Sequence, residues 1–129
     1  DLVATARRES VEEVGVDPGE GQSLLLGQLP VVQARSRSVV LPLFIWPIVF
    51  HRADPPEPVL GPEADEAFWF PLHRAARGDL VTDYPYEHEG LVHRLPAWHF
   101  EGRTIWGMTH GILNRLLVAL ATQPGESGK

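Results

Sequence analysis

The sequence predicts a mixed α/β fold in which helices pack on the faces of a mixed sheet. Two amphipathic helical segments stand near the two ends of the 129-residue chain. Between them lie short runs rich in β-branched and aromatic residues, separated by turns that contain Gly and Pro. Elements in this order bury their apolar faces when the helices cover a sheet. We expect one domain over residues 1–122 and a disordered tail over residues 123–129.

Composition limits the class of protein. Apolar residues make up 43% of the chain and charged residues 22%, which favours a folded core over a disordered chain. The net charge of −6 argues against a nucleic-acid binder. The absence of Cys excludes disulfides and Cys-based zinc sites, and it leads us to expect a cytoplasmic location. The longest apolar run, residues 39–50, is too short to span a bilayer, so we expect no membrane partner.

The first helix is predicted over residues 2–14. Asp1 can cap its N-terminus, neither Gly nor Pro interrupts it, and Gly15 stands where a helix commonly ends. At 100° per residue, Val3 and Val14 fall on its apolar side. Three acidic residues lie on the opposite side: Glu9, Glu12 and Glu13.

The remaining elements are predicted from the hydrophobic period and the turn residues. Strands are predicted at residues 23–29, 39–52, 67–70, 91–100 and 103–106, and helices at residues 71–76 and 108–120. Loops are predicted at residues 16–22, 34–38, 53–61 and 84–90. The two prolines within residues 39–52 require an edge position or a bulge. Three residues are expected in the core beneath the last helix: Ile105, Trp106 and Met108.

Glu9, Glu12 and Glu13 stand at positions i, i+3 and i+4, where helical side chains are neighbours. Like charges at this spacing repel by about 0.2–0.5 kcal/mol per pair, and Arg8 can relieve part of this by pairing with Glu12. Three convergent carboxylates suit Mg²⁺ or Mn²⁺, and such ions serve phosphoryl chemistry. Because a solvated acidic face has the same spacing, the spacing alone leaves both interpretations open.

The string RESVEEVGV, residues 8–16, resembles the second half of the Nudix box, GX5EX7REUXEEXGU, where U is aliphatic. Six positions match: Arg8, Glu9, Glu12, Glu13, Gly15 and Val16. Ser10 departs from the pattern, since it falls at an aliphatic position. The resemblance implies that Glu12 and Glu13 are the main ligands of Mg²⁺ or Mn²⁺, and that Glu9 coordinates or positions a further ion or water. It implies a structural role for Arg8 in supporting the cluster.

The resemblance also implies a Nudix-like α/β/α sandwich with a mixed sheet. In the family pattern, an earlier glutamate lies eight residues before the arginine, which here falls one place before Asp1. The family also places several strands ahead of the box. We therefore expect residues 1–122 to correspond to the C-terminal two-thirds of a Nudix domain, beginning inside the box, with the N-terminal strands missing from this chain.

Two later segments resemble parts of the same family. Residues 63–72, EADEAFWFPL, are similar to an acidic turn leading into a strand that ends in W-x-P-L. Residues 95–109, LPAWHFEGRTIWGMT, are similar to the strand, turn, "IWG-T" and helix ending of the coenzyme A diphosphatase-like branch. This resemblance implies a small-molecule nucleotide substrate, namely a nucleoside diphosphate linked to another moiety.

Coenzyme A or its acyl derivatives are the first substrate that the resemblance implies, and ADP-ribose or an NADH-type dinucleotide is the alternative. A different class is a Nudix-fold nucleotide-binding module that has lost catalysis, although intact Glu12 and Glu13 favour an enzyme. The oligomeric state stays open, with a homodimer as one alternative.

Nudix enzymes commonly recruit a further acidic residue from a late loop as a base or ligand. Glu87 and Glu89 are the candidates here, and an ordinary solvated loop is the alternative.

Overall fold

The computed structural model describes residues 1–36 and 39–122. This part of the chain contains three helices and seven strands. In chain order they are α1 (Leu2–Val14), β1 (Ser23–Gln28), β2 (Val32–Ser36), β3 (Val39–Ile45), β4 (Ile48–Arg52), α2 (Leu72–Arg77), β5 (Val81–His88), β6 (Leu91–Phe100), β7 (Arg103–Trp106) and α3 (Gly107–Ala121). The expected combination of helices and strands is confirmed, whereas the predicted tail at residues 123–129 lies outside the described residues.

The strands pair in three small sheets: β1 with β4, β2 with β3, and β5, β6 and β7 in that order. The β1–β4 pair is antiparallel. Both pairs of the three-stranded sheet, β5–β6 and β6–β7, are antiparallel as well. We expected one mixed sheet, but the described strands do not join into one. Two-residue connections at residues 89–90 and 101–102 link β5 to β6 and β6 to β7. Because connections this short join only antiparallel neighbours, they explain the direction of the three-stranded sheet.

The three helices are confirmed. The Asp1 carboxylate accepts a hydrogen bond from the Ala4 backbone N–H at 2.8 Å and caps α1. At the other end, Gly15 has φ 69°, a left-handed conformation that suits glycine. α2 ends in the same way at Gly78, with φ 86°. Among the described helices, none combines the length and apolar character needed to cross a membrane.

Two strand predictions and one loop prediction need correction. Residues 39–52 form two strands rather than one, because Trp46 and Pro47 interrupt them. Proline has no backbone N–H to donate and restricts the residue before it. The loop predicted at residues 34–38 is wrong for residues 34–36, which pair within β2. Residues 67–70 form no strand in the described structure, and Phe70 contacts Trp98 through its ring, at a centroid distance of 5.4 Å.

The loop predicted at residues 84–90 is also wrong for residues 84–88, which belong to β5. Tyr84 and Tyr86 alternate there with Pro85 and acidic residues, a period of two that is typical of a strand. Across the sheet, the Tyr84 ring stacks on Trp106 of β7, with centroids 3.9 Å apart and planes 6° from parallel. Ala97 of β6 pairs with Trp106 and is buried.

The chain divides into two compact units. The first contains residues 1–33 and 43–69, and the second contains residues 34–42 and those from 70 onward, as far as these are described. In the second unit, the buried core consists of Ala75, Leu80 and Trp98. Partly buried apolar residues from β6, β7 and α3 pack around this core, among them Ile105. Met108, which we expected in the core, is exposed in the first turn of α3.

In the first unit, hydrogen bonds made by Arg7, Asp17 and Arg52 connect α1 to the strand β4. Nε and Nη2 of Arg7 donate to the two carboxylate oxygens of Asp17 at 2.8 and 2.9 Å. The same carboxylate accepts the Gly19 N–H at 2.9 Å, and the Asp17 carbonyl accepts Nη1 of Arg52 at 2.9 Å. Asp17 therefore links the helix, the turn that follows it and β4.

We expect Asp17→Asn to lower stability at neutral pH and to reduce the loss of stability in acid. Hydrogen bonds from Arg7 and from the Gly19 N–H hold the pKa of Asp17 below its usual value. A lowered pKa stabilises the folded state above the unfolded value of about 4, and this contribution is lost as the pH falls through the folded pKa. The stability difference between wild type and variant should therefore shrink below about pH 4. Urea unfolding between pH 7 and pH 2 measures it.

Asp83→Asn is the matched control. Asp83 accepts Nη1 of Arg94 at 3.0 Å, but both side chains are well exposed. Exposed pairs of this kind contribute only about 0–1 kcal/mol. An acid dependence in Asp17→Asn identical to that of the wild type would contradict the assignment of Asp17.

Candidate functional site

α1 places the three predicted carboxylates on one exposed side. Glu9, Glu12 and Glu13 follow one another within about 6 Å along the helix axis, at 1.5 Å per residue. Together with Pro62 and Glu63, they line a surface pocket of about 460 Å³. We call this the acidic pocket. All of its lining residues belong to the first unit.

Arg8 contacts one carboxylate of the acidic pocket, as its spacing of four residues from Glu12 predicts. Its Nε lies 3.7 Å from Oε2 of Glu12, one helical turn later. Both side chains are largely exposed, and helical pairs of this kind contribute only about 0.3–0.5 kcal/mol. Arg8 therefore mainly offsets the negative charge of Glu12 and adds little to stability. Its role in supporting a metal site stays a prediction.

The end of α1 is capped by a distant loop that carries part of the pocket. The Val59 N–H donates to the Val14 carbonyl at 2.7 Å, and the Gly61 N–H donates to the Glu13 carbonyl at 2.9 Å. The last carbonyls of a helix lack partners within it, so the loop satisfies two of them. This docking brings the residues after Gly61 to the pocket.

Glycine is required at the contact between this loop and the helix. A Cβ at residue 61 would collide with the carbonyl oxygen of Glu12. Gly15 lies against Val59 and has a positive φ as well. The close approach of loop and helix therefore depends on the lack of a side chain at both positions.

Glu63 is a fourth carboxylate in the acidic pocket. We did not expect Glu63 as a site residue from the sequence. The sequence places it 50 residues after Glu13, within an acidic turn. A signal for its position does exist in the chain, since Gly61 and Pro62 stand directly before it. That signal acquires meaning only once Gly61 is seen against the end of α1.

The donor chemistry of the acidic pocket fits a hard divalent cation. All four acidic side chains offer carboxylate oxygens, the ligands that Mg²⁺ and Mn²⁺ prefer. Within residues 1–36 and 39–122, no three His, Asp or Glu side chains stand close enough to hold a metal ion. The carboxylates thus share a pocket without forming a preassembled coordination shell.

Glu87 and Glu89 lie in the second unit. Glu87 is exposed on β5, where it pairs with Val92 of β6. Glu89 occupies the β5–β6 turn with φ 52°, and its Oε1 lies 3.3 Å from Nε2 of His88. Their assignment as a base or a further ligand stays a prediction.

Known proteins with similar sequences carry a family name. The chain is 29% identical over 125 residues to a Citrobacter koseri protein called Uncharacterized Nudix hydrolase NudL. Proteins of the same name from an Enterobacter species and from Klebsiella pneumoniae are 29% and 28% identical over the same length. Each match covers 95% of this chain, and the chain spans about 61% of the length of these curated relatives.

No protein-family model and no solved structure matches the chain. The name of these relatives agrees with the family that residues 8–16 resemble and with the expectation of a Nudix hydrolase enzyme. Their printed name specifies neither a substrate nor a metal.

We expect Gly61→Ala to destabilise the first unit by on the order of 1–3 kcal/mol, because the added Cβ displaces the loop and leaves helix carbonyls without donors. The matched control is Gly111→Ala in α3. A Cβ at residue 111 meets no atom within 4 Å. Alanine at a helical glycine position stabilises by about 0.5–1 kcal/mol. Urea unfolding of both variants compares them, and a Gly61→Ala variant as stable as the wild type would disprove the close approach.

Proposed function

We propose that this protein is a Nudix diphosphatase that depends on Mg²⁺ or Mn²⁺. It would hydrolyse a diphosphate that joins a nucleoside to another moiety. The observation that carries the proposal is the acidic pocket, in which Glu63 joins the three glutamates of the box-like sequence. The Nudix hydrolase name of the relatives agrees with it.

Glu12 and Glu13 would be the principal metal ligands, and Glu9 would bind or position a second ion or a water. The bound ion would neutralise charge on the diphosphate and activate water for attack on phosphorus. With a net charge of −6, the chain repels an anionic substrate, and the carboxylates alone would strengthen that repulsion. Arg8 offsets part of the charge beside Glu12, and the docking of Gly61 on the end of α1 brings Glu63 into the pocket lining. Glu63 joins Glu87 and Glu89 as a candidate proton acceptor.

We propose coenzyme A or its acyl derivatives as the first substrate to test. The support is the resemblance of residues 95–109 to the ending of the coenzyme A diphosphatase-like branch. ADP-ribose and NADH-type dinucleotides are the next candidates. A nucleotide-binding module without catalysis is the alternative class.

The test is hydrolysis of coenzyme A, ADP-ribose and NADH with Mg²⁺ or Mn²⁺, followed by release of a phosphorylated nucleoside. We expect Glu12→Gln or Glu13→Gln to reduce kcat by about 100-fold or more, since outer-shell substitutions alone typically cost 10–100-fold in activity or metal affinity. Glu57→Gln is the control, because Glu57 is an exposed carboxylate in the proline-rich loop, outside the acidic pocket. It should leave kcat unchanged.

Three results would each count against part of this proposal. Product formation that persists undiminished after chelation by EDTA would overturn metal dependence. Nucleotide binding without product from any of the three substrates would favour the binding module. Equal loss of activity in Glu57→Gln and Glu12→Gln would mean that the effect is one of overall charge rather than of ligands.

A further inference from the structure

A second pocket of the first unit lies beside the acidic pocket. It has a volume of about 350 Å³, and one wall is a side of α1 that includes Leu2, Ala6 and Glu9. The opposite wall is the end of β3 with the residue after it, and it includes Phe44 and Trp46. We call this the aromatic pocket. Its volume is in the lower range for small-molecule sites, which suits one ring system rather than a whole nucleotide.

The two pockets share Glu9. Leu2, Ala6 and Glu9 stand at i, i+4 and i+7, which places them on one side of the helix. The same side continues into Glu12 and Glu13. A ligand whose charged part lies at the acidic pocket would therefore place its adjoining group along α1, against the aromatic pocket.

The aromatic side chains are accessible and held in place. Phe44 is 54% exposed and Trp46 is 45% exposed. Pro47 restricts the backbone of Trp46, and the Pro47 carbonyl accepts the Leu29 N–H at 3.0 Å. Trp46 thus presents a ring surface to solvent from a backbone that is restrained on its C-terminal side.

We propose that the aromatic pocket holds the nucleobase of the substrate, with Trp46 as the main stacking surface. The direction of the ligand, from base to diphosphate, rests on the proposed function. The choice of a nucleobase follows from the lining, which offers aromatic rings and aliphatic side chains, and whose only charged residue is Glu9. Stacking of a base on one aromatic side chain is sequence-tolerant and strong enough to measure.

The test is calorimetric titration of the protein with AMP in the presence of Mg²⁺. Trp46→Ala should weaken AMP binding by roughly 5- to 100-fold, the range expected for one base–aromatic stack. Trp46→Phe should retain most of the affinity because it keeps a ring. Ribose 5-phosphate, which has the sugar and phosphate but no base, should bind wild type and Trp46→Ala with equal affinity.

Trp69→Ala is the matched control, since Trp69 is 59% exposed, belongs to the same unit and is not part of the aromatic pocket. It should bind AMP like the wild type. Phe44→Leu is a second variant, which removes a ring and keeps an apolar side chain, and it should also weaken AMP binding. Unchanged AMP affinity in both Trp46→Ala and Phe44→Leu would overturn the aromatic pocket as the base site.

These outcomes are separable from those of the proposed function. Trp46-dependent AMP binding in a protein that hydrolyses none of the three substrates would leave the base site standing and overturn the diphosphatase. Mg²⁺-dependent hydrolysis together with AMP binding that is the same in wild type and Trp46→Ala would support the diphosphatase and overturn the base site. If Trp46→Ala lost AMP binding and ribose 5-phosphate binding equally, Trp46 would support phosphate binding or the fold. That result would refute stacking on the base.

Discussion

The paired hydrogen bonds between Arg7 and Asp17 restrain rotation of α1 about its own axis. Arg7 stands about 160° around the helix from Glu9, given 100° per residue. Because the guanidinium is fixed to Asp17 by two hydrogen bonds, the helix cannot rotate about its axis without breaking both. Glu9 therefore lies on the side of α1 opposite the Arg7–Asp17 pair. Arg52, bound to the Asp17 carbonyl, extends the same restraint to the strand.

The far end of α1 carries an electrostatic conflict. Glu12 and Glu13 lie in the last turn, where the helix dipole is negative, and no basic residue accompanies them there. Carboxylates at that end typically cost about 0.3–1 kcal/mol each at low salt. The N–H groups of Val59 and Gly61 compensate for part of this by donating to the last carbonyls. A cation among the carboxylates would remove the remaining repulsion, which is consistent with a site that is completed by its ligand.

The sequence was informative where the determinants are local. The bounds of α1, its caps and the shared side of its glutamates follow from positions a few residues apart, as do the β6–β7 hairpin and α3. The sequence failed where the determinants are distant. Residues 84–88 contain Pro85 and several polar side chains, so local propensity predicted a loop, but pairing with β6 and the stack of Tyr84 on Trp106 make them a strand. Glu63 and Trp46 reach the pockets through contacts that no pattern within one segment encodes.

The same distinction applies to function. The box-like sequence predicts where a diphosphate would be bound, because a short string on one helix carries all of those side chains. In the proposed enzyme, substrate choice would depend instead on what lies beside that helix, where the end of β3 contributes Phe44 and is followed by Trp46. Since Glu9 belongs to both pockets, the helix α1 supplies one wall of the aromatic pocket as well as three of the carboxylates. Recognition of the base and placement of the diphosphate would then share one helix, and displacement of α1 would disturb both together.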